Sequence, residues 1–122
     1  MRILVVDDDP AELLLSSIVL KELGGFEVIQ AQNGMEAVEC AKRELPDAIL
    51  IDFVLDDIDG PEVFQMLQKS KDTSEIPVIF HTAKTDPSDV TRLIALGAKG
   101  VIGKPFDPMR LAEEIKRILH HS

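Results

Sequence analysis

The chain is poor in cysteine, in basic residues and in long apolar runs, and each shortage closes off a class of protein. Its one cysteine, Cys40, rules out an internal disulfide and fits a reducing cytoplasm. Thirteen Lys and Arg stand against 22 Asp and Glu, for a net charge of −9. Direct nucleic-acid binding needs a basic footprint that this balance does not supply. Cations and basic protein surfaces remain open as partners. No apolar run approaches the ~20 residues that cross a bilayer, so no membrane association is expected. The N-terminus meets Asp7-Asp8-Asp9 after only Ile3-Leu4-Val5-Val6, which does not read as a signal peptide. There is no G-x-G-x-x-G and no P-loop lysine motif, so nucleotide binding has no support. What is present is ordinary globular composition, 45% hydrophobic and 29% charged, over 122 residues. That is the length of one domain, residues 1–122, expected in the cytoplasm.

The most informative stretch is Ala48-Ile49-Leu50-Ile51-Asp52. Four apolar residues bounded by Pro46 and Gly60 read as a strand buried on both faces, as in a parallel sheet. On its own, the aspartate that closes it is as readily a turn former as a reactive group. The same pattern appears at Ile3 to Val6, closed by Asp7 and Asp8. Asp9-Pro10 opens a helix, with Glu12 completing a capping-box-like pattern and Ala11, Leu14, Leu15 and Ile18 at helical spacing. Gly24-Gly25 stops it. Phe26 to Ala31 is a more polar strand, as an edge strand would be. Asn33 caps a second helix, with Ala37, Val38, Ala41 and Leu45 as its buried stripe. Pro61 begins a third helix with Val63, Met66 and Leu67 facing inward. Pro77 to Thr82 is the fourth strand, and Asp86-Pro87 opens a helix with Val90, Leu93 and Ile94. Gly100 to Gly103 is the fifth strand, and Asp107-Pro108 opens a last helix with Leu111, Ile115, Ile118 and Leu119.

Five strands alternating with five helices imply an α/β fold with a parallel sheet and helices on both faces. Placing the apolar strands centrally and the second at an edge gives the order 2-1-3-4-5, a flavodoxin-like doubly wound (βα)5 arrangement. Ligands of such sheets bind beyond the carboxyl ends, where the strand order reverses. Asp7, Asp8, Asp52, Thr82 and Lys104 stand at those ends. Three clustered carboxylates repel one another, and a divalent cation together with Lys104 relieves the repulsion. Oxygen ligands with open water positions suit Mg²⁺. Asp52 can then stay ionised and attack phosphorus to give an aspartyl phosphate.

Rival motifs fail residue by residue. A calcium loop closing at Gly60 needs an oxygen ligand where Leu55 stands and a glutamate where Met66 stands. A D-x-D-x-T phosphatase needs an acid at Val54. His81, inside a strand, reads as a packed side chain, and the terminal His120-His121-Ser122 carries no assignment.

Taken together, Ile-Leu-Val-Val-Asp7-Asp8-Asp9-Pro10, Pro46-Asp47-Ala-Ile-Leu-Ile-Asp52, Asp59-Gly60, Pro77-Val-Ile-Phe-His-Thr82-Ala83, Gly97-Ala98 and Lys104-Pro105-Phe106 resemble the receiver domain of two-component response regulators. The resemblance covers the whole chain in order and spacing. It implies that Asp52 is the phosphoacceptor, that Asp8 ligates Mg²⁺ directly and Asp7 through water, and that the backbone carbonyl of Val54 completes the protein ligands. It further implies that Lys104 pairs with the carboxylate and then the phosphoryl group, that Thr82 hydrogen-bonds the phosphoryl oxygen, and that the Lys104-Pro105 bond is cis. A sensor histidine kinase or histidine phosphotransfer protein would be the donor, and a downstream output domain or protein the recipient of the signal. The chain would assist its own phosphorylation and dephosphorylation without being a turnover enzyme.

Asp56 and Val101 depart from the family pattern, and Val54 and Lys84 carry no diagnosis. Asp56 stands where the family often has proline, and Asp57 follows it, adding negative charge beside the site. Val101 occupies the fifth-strand position that usually holds a switch aromatic, so the family's coupling of threonine movement to ring rotation has no ring here. Val54 and Lys84 sit where the family tunes phosphoryl lifetime. The alternative reading is a receiver-like interaction scaffold that signals without phosphorylation, favoured only by Asp56 and Val101.

Overall fold

The computed structural model describes residues 1–83 and 85–120. The Lys84 position and the terminal His121-Ser122 lie outside the described residues. Five strands and five helices alternate: β1 (Arg2–Val6), α1 (Pro10–Glu22), β2 (Glu27–Ala31), α2 (Gly34–Glu44), β3 (Ala48–Asp52), α3 (Gly60–Lys69), β4 (Val78–Thr82), α4 (Pro87–Leu96), β5 (Gly100–Gly103) and α5 (Leu111–His120). The strands form one sheet in the order β2-β1-β3-β4-β5, and all four pairings are parallel. The continuous apolar runs of β1, β3 and β4 occupy the middle because both of their faces are covered. The mixed sequence of β2 sits at one edge, where only Ala31 is buried.

Alternation along each strand divides the core into two layers. Leu4, Val6, Ile49, Ile51 and Phe80 pack with Ala37, Val63, Phe64, Leu67 and Leu93 from α2, α3 and α4. Ile3, Val5, Leu50, Ile79 and Ile102 pack with Leu13, Leu20, Leu111 and Ile115 from α1 and α5.

Helix starts follow their capping residues. Asn33 Oδ1 accepts from Glu36 N at 2.8 Å, and Asp59 Oδ1 accepts from Glu62 N at 2.9 Å. At α1, Asp9 Oδ1 accepts from Ala11 N at 2.9 Å with Pro10 in the first turn. The reciprocal capping box with Glu12 does not form, because the Glu12 side chain is committed elsewhere.

Several inward-facing assignments are corrected. On α1 the buried residues are Leu13, Ser16, Ser17, Val19 and Leu20, whereas Leu14, Leu15 and Ile18 are 57%, 48% and 49% exposed. On α2, Leu45 is exposed because it caps the helix in the left-handed region, at φ 46°, ahead of Pro46. On α4 only Leu93 is buried, and Ile94 faces out. The last helix starts at Leu111, since Asp107 first closes a turn by accepting from Met109 N through its side chain and from Arg110 N through its carbonyl.

Candidate functional site

The carboxyl ends of β1, β3, β4 and β5 bring Asp7, Asp52, Thr82 and Lys104 to one edge of the sheet. Gly60 allows α3 to start directly over this edge. A Cβ there would lie 2.5 Å from the Asp52 carbonyl oxygen and 2.9 Å from the Phe80 ring. Gly60 N instead donates to Phe53 O at 2.8 Å. The Lys104-Pro105 bond is cis, as the resemblance implies.

Lys104 is the hub. Its Nζ donates to Glu12 Oε2 at 2.7 Å, Asp7 Oδ2 at 2.8 Å and Asp52 Oδ2 at 3.1 Å. Three carboxylates thus use the three protons of one ammonium. Burial works against the charge on Lys104, but the hydrogen bonds to Asp7, Glu12 and Asp52 outweigh it and hold the pKa above the usual lysine range. Burial pushes the half-buried Asp52 carboxyl above its ordinary range, and Lys104 pulls it partly back. Asp7 is buried and also accepts from Asp9 N at 3.0 Å.

A second acidic group lies beside the first. Asp8 is raised by burial, then by a hydrogen bond with the Asp56 carboxyl, with Asp7 and Asp52 adding repulsion. The carboxylate oxygens of Asp7, Glu12 and Asp52 lie within 4.8 Å of one another, but Lys104 Nζ already bridges them. Asp52 Oδ1 accepts from Val54 N at 3.4 Å, so the two oxygens of Asp52 have different surroundings. A set made only of oxygen donors, with more acids than the lysine can neutralise, fits a hard dication such as Mg²⁺.

The loop from Asp52 to α3 is pinned from outside the site. Asp57 Oδ1 accepts from Gly34 N at 2.8 Å and Oδ2 from Met35 N at 2.9 Å, at the start of α2. Those amides, Met35 first and then Gly34, hold the Asp57 carboxyl below its ordinary range. Gly34 admits the loop, since a Cβ there would sit 2.4 Å from Ile58 Cγ1.

His81 is buried and packs at a tilt of 54° against Phe106, with ring centroids 5.3 Å apart. Its Nε2 has no hydrogen-bond partner among the described residues. Burial lowers its pKa to about 4, aided by Lys104 and partly opposed by Asp7. Val101 is half-buried against the α2–α3–α4 layer. The Arg92 guanidinium of α4 lies 5.9 Å from the centre of the Phe53 ring.

Of the site residues read from sequence, Asp7, Asp52, Thr82 and Lys104 gather at one edge with Asp8 beside them, whereas Val101 lies within β5, opposite Phe80 and against the α2–α3–α4 layer. Two features escaped that reading, Glu12 on Lys104 and Asp57 on α2. An acid one helical turn beyond the Asp7-Asp8 pair was the available signal for Glu12.

The acids and one lysine gathered at the carboxyl end of this doubly wound sheet fit the receiver domain that the sequence resembles. The chain belongs to the response regulator receiver domain family, whose model matches residues 3–116. It is 36% identical to protein PilH of Pseudomonas aeruginosa over 118 residues, covering 97% of both chains. It is 37% identical to the alkaline phosphatase synthesis transcriptional regulatory protein PhoP of Bacillus subtilis, covering 99% of this chain but 49% of that one. The chain thus spans nearly all of the first relative and about half of the second. Among solved structures it is similar to the chemotaxis response regulator CheY4 of Vibrio cholerae, with a TM-score of 0.89 and 28% identity over 96% of this chain and 97% of that one. It is equally close in sequence, at 28%, to the receiver domain of the Pseudomonas aeruginosa sensor histidine kinase PA1611, described with a magnesium ion in its active-site cleft. That match has a TM-score of 0.85 and covers 97% of this chain and 96% of the other. Among the described residues, no helix is long and apolar enough to cross a membrane.

Proposed function

We propose that this chain is a phosphoacceptor that takes a phosphoryl group from a phosphohistidine onto Asp52. The observation that carries the reading is Lys104 Nζ, 3.1 Å from Asp52 and paired with buried Asp7 at the switch point of the sheet. Asp8, Asp52 and the Val54 carbonyl would hold Mg²⁺, with Asp7 acting through water. The bound ion supplies positive charge against the phosphoryl oxygens. An Asp52 oxygen attacks phosphorus, and the P–N bond breaks with its electron pair returning to the imidazole. Lys104 and the Thr82 hydroxyl then hold the phosphoryl oxygens. Water later hydrolyses the acyl phosphate, releasing inorganic phosphate and restoring the carboxylate. The modification adds about −1.5 to −2 charges and shifts an existing conformational equilibrium.

The donor is a sensor histidine kinase or a histidine phosphotransfer protein, and it must cover the mouth of the site. Exposed Leu14, Leu15 and Ile18 lie on the helix whose first turn borders that mouth, which supports docking there. The recipient of the signal is an output domain or protein. The protein works in the cytoplasm, where such donors present their histidines, and it turns over no substrate of its own.

Incubation with acetyl phosphate and Mg²⁺, followed by intact-mass measurement, tests the reading. Wild type gains one phosphoryl group and Asp52→Asn gains none. No gain on wild type, or equal gain on both, overturns it. If wild type gains no mass, the scaffold reading stands, favoured by Asp56 and Val101.

A further inference from the structure

We infer that Glu12 is a built-in competitor for Lys104, holding the ammonium in the resting protein and releasing it when Asp52 carries a phosphoryl group. The inference rests on the phosphoacceptor reading above.

The ammonium is saturated. Its three protons go to Glu12 at 2.7 Å, Asp7 at 2.8 Å and Asp52 at 3.1 Å, so the residue to be phosphorylated has the longest contact. Phosphorylation itself frees the Asp52 contact, and for Lys104 to give the phosphoryl oxygens a second proton a further contact must give way. Asp7 cannot leave cheaply, because its side chain is 4% exposed and would become an unpaired buried charge. The Glu12 side chain is 44% exposed and returns to water at small cost. Glu12 is therefore the contact that breaks.

Nothing else in the first turn of α1 needs that carboxylate. Asp9 caps the helix through Ala11 N, and Asp9 N is bound by Asp7. While it remains on Lys104, the Glu12 carboxylate also repels an incoming phosphoryl group across the same ammonium. The phosphorylated state is thus less favoured, by the strength of the Glu12–Lys104 pair, than the other site residues alone would make it. Once released, the carboxylate stands on the outer side of α1, so the helix surface changes charge distribution with the state of Asp52.

Beryllofluoride with Mg²⁺, a noncovalent mimic of a phosphoryl group on a carboxylate, gives a readout independent of turnover. The thermal midpoint of each variant first establishes that it is folded, with Glu12→Gln and Glu12→Leu as two independent versions. Titration followed by amide shifts should show both variants binding the mimic about two- to fivefold more tightly than wild type, the range of a half-exposed ion pair. Their initial rates of labelling by acetyl phosphate should rise by a similar factor. Asp9→Asn serves as the control, since it removes an equal charge from the same segment without touching Lys104. Affinities of both Glu12 variants equal to wild type overturn the inference, and so does an equal gain in Asp9→Asn, which makes the effect one of general charge. Failure of wild type to bind the mimic or accept a phosphoryl group overturns the phosphoacceptor reading itself.

Discussion

Asp57 is expected to be a stability residue, although its place beside the site suggests chemistry. Replacing it with alanine removes two hydrogen bonds to the first amides of α2. Loss of a helix cap costs about 0.5–2 kcal/mol, and a carboxylate at a helix N-terminus adds about 0.3–1 kcal/mol. The amides can partly rehydrate, because Met35 N is exposed. A net loss of about 1–2 kcal/mol follows for Asp57→Ala. For 122 residues this is a fall in Tm of about 4–8 °C. Asp57→Asn keeps an acceptor oxygen but no charge, and should lose about half as much. The pH dependence has a definite sign. The folded carboxyl is held below its ordinary value by the two amides, so its stabilisation is present above the unfolded pKa. It is lost as pH falls through the lower folded value. The gap between wild type and Asp57→Asn should therefore persist from neutrality to about pH 4 and close below it. Thermal melts by far-ultraviolet circular dichroism suit a chain with no Trp or Tyr. Gly34→Ala, which drives a Cβ into Ile58, should be costly alone and less than additive with Asp57→Ala, since both open one junction. An Asp57→Ala melt within about 1 °C of wild type at pH 7 would refute the account.

Three further outcomes are expected. His81 is neutral when folded, with a pKa of about 4 against 6.5 unfolded, so the unfolded chain binds the extra proton and stability falls as pH drops through that window. The loss amounts to about 3 kcal/mol by linkage, and urea midpoints of His81→Leu should vary less between pH 6.5 and pH 4 than those of wild type. Mg²⁺ should raise the Tm of wild type by mass action. Asp8→Asn should abolish that response while raising the metal-free Tm, because it removes a carboxylate repelled by Asp56, Asp7 and Asp52. Changing Leu14 and Ile18 together to glutamate should alter stability by no more than about 0.5 kcal/mol per site and leave acetyl phosphate labelling unchanged. Transfer from a histidine donor protein should slow about tenfold in that double variant, and an unchanged transfer rate would remove α1 from the docking surface.

Strand order and the strand-end residues were legible because local pattern and tertiary position coincide there. An apolar run buried on both faces must be central, and the polar residue that ends it must lie at the ligand edge. Helix α1 was misread because apolar residues surround it, so spacing alone offers two stripes. The stripe with serines is the buried one. Ser16 Oγ donates to Glu12 O at 2.7 Å and Ser17 Oγ to Leu13 O at 2.6 Å, so both hydroxyls are satisfied within the helix and can face the core. Glu12 matched a local capping pattern, but a partner 92 residues away outcompeted it. Asp57 showed only as charge, because its partners come from a helix that the chain formed 22 residues earlier. Interactions between distant segments leave no spacing to read.

Helix α4 is attached lightly, with Leu93 as its one buried side chain and no side-chain hydrogen bond at its Asp86 cap. Arg92 adds a cation–π contact to Phe53, the residue that follows Asp52, worth about 0.5–1 kcal/mol at an exposed site. An element held this way opens locally at a free energy well below that of global unfolding. Its backbone amides should be among the earliest helical amides to exchange with deuterium, ahead of those of α1 and α3. If Asp52 takes a phosphoryl group as proposed, only a small part of the folding free energy is needed to displace α4. Loose attachment makes this helix an inexpensive place to register an event at the neighbouring strand end.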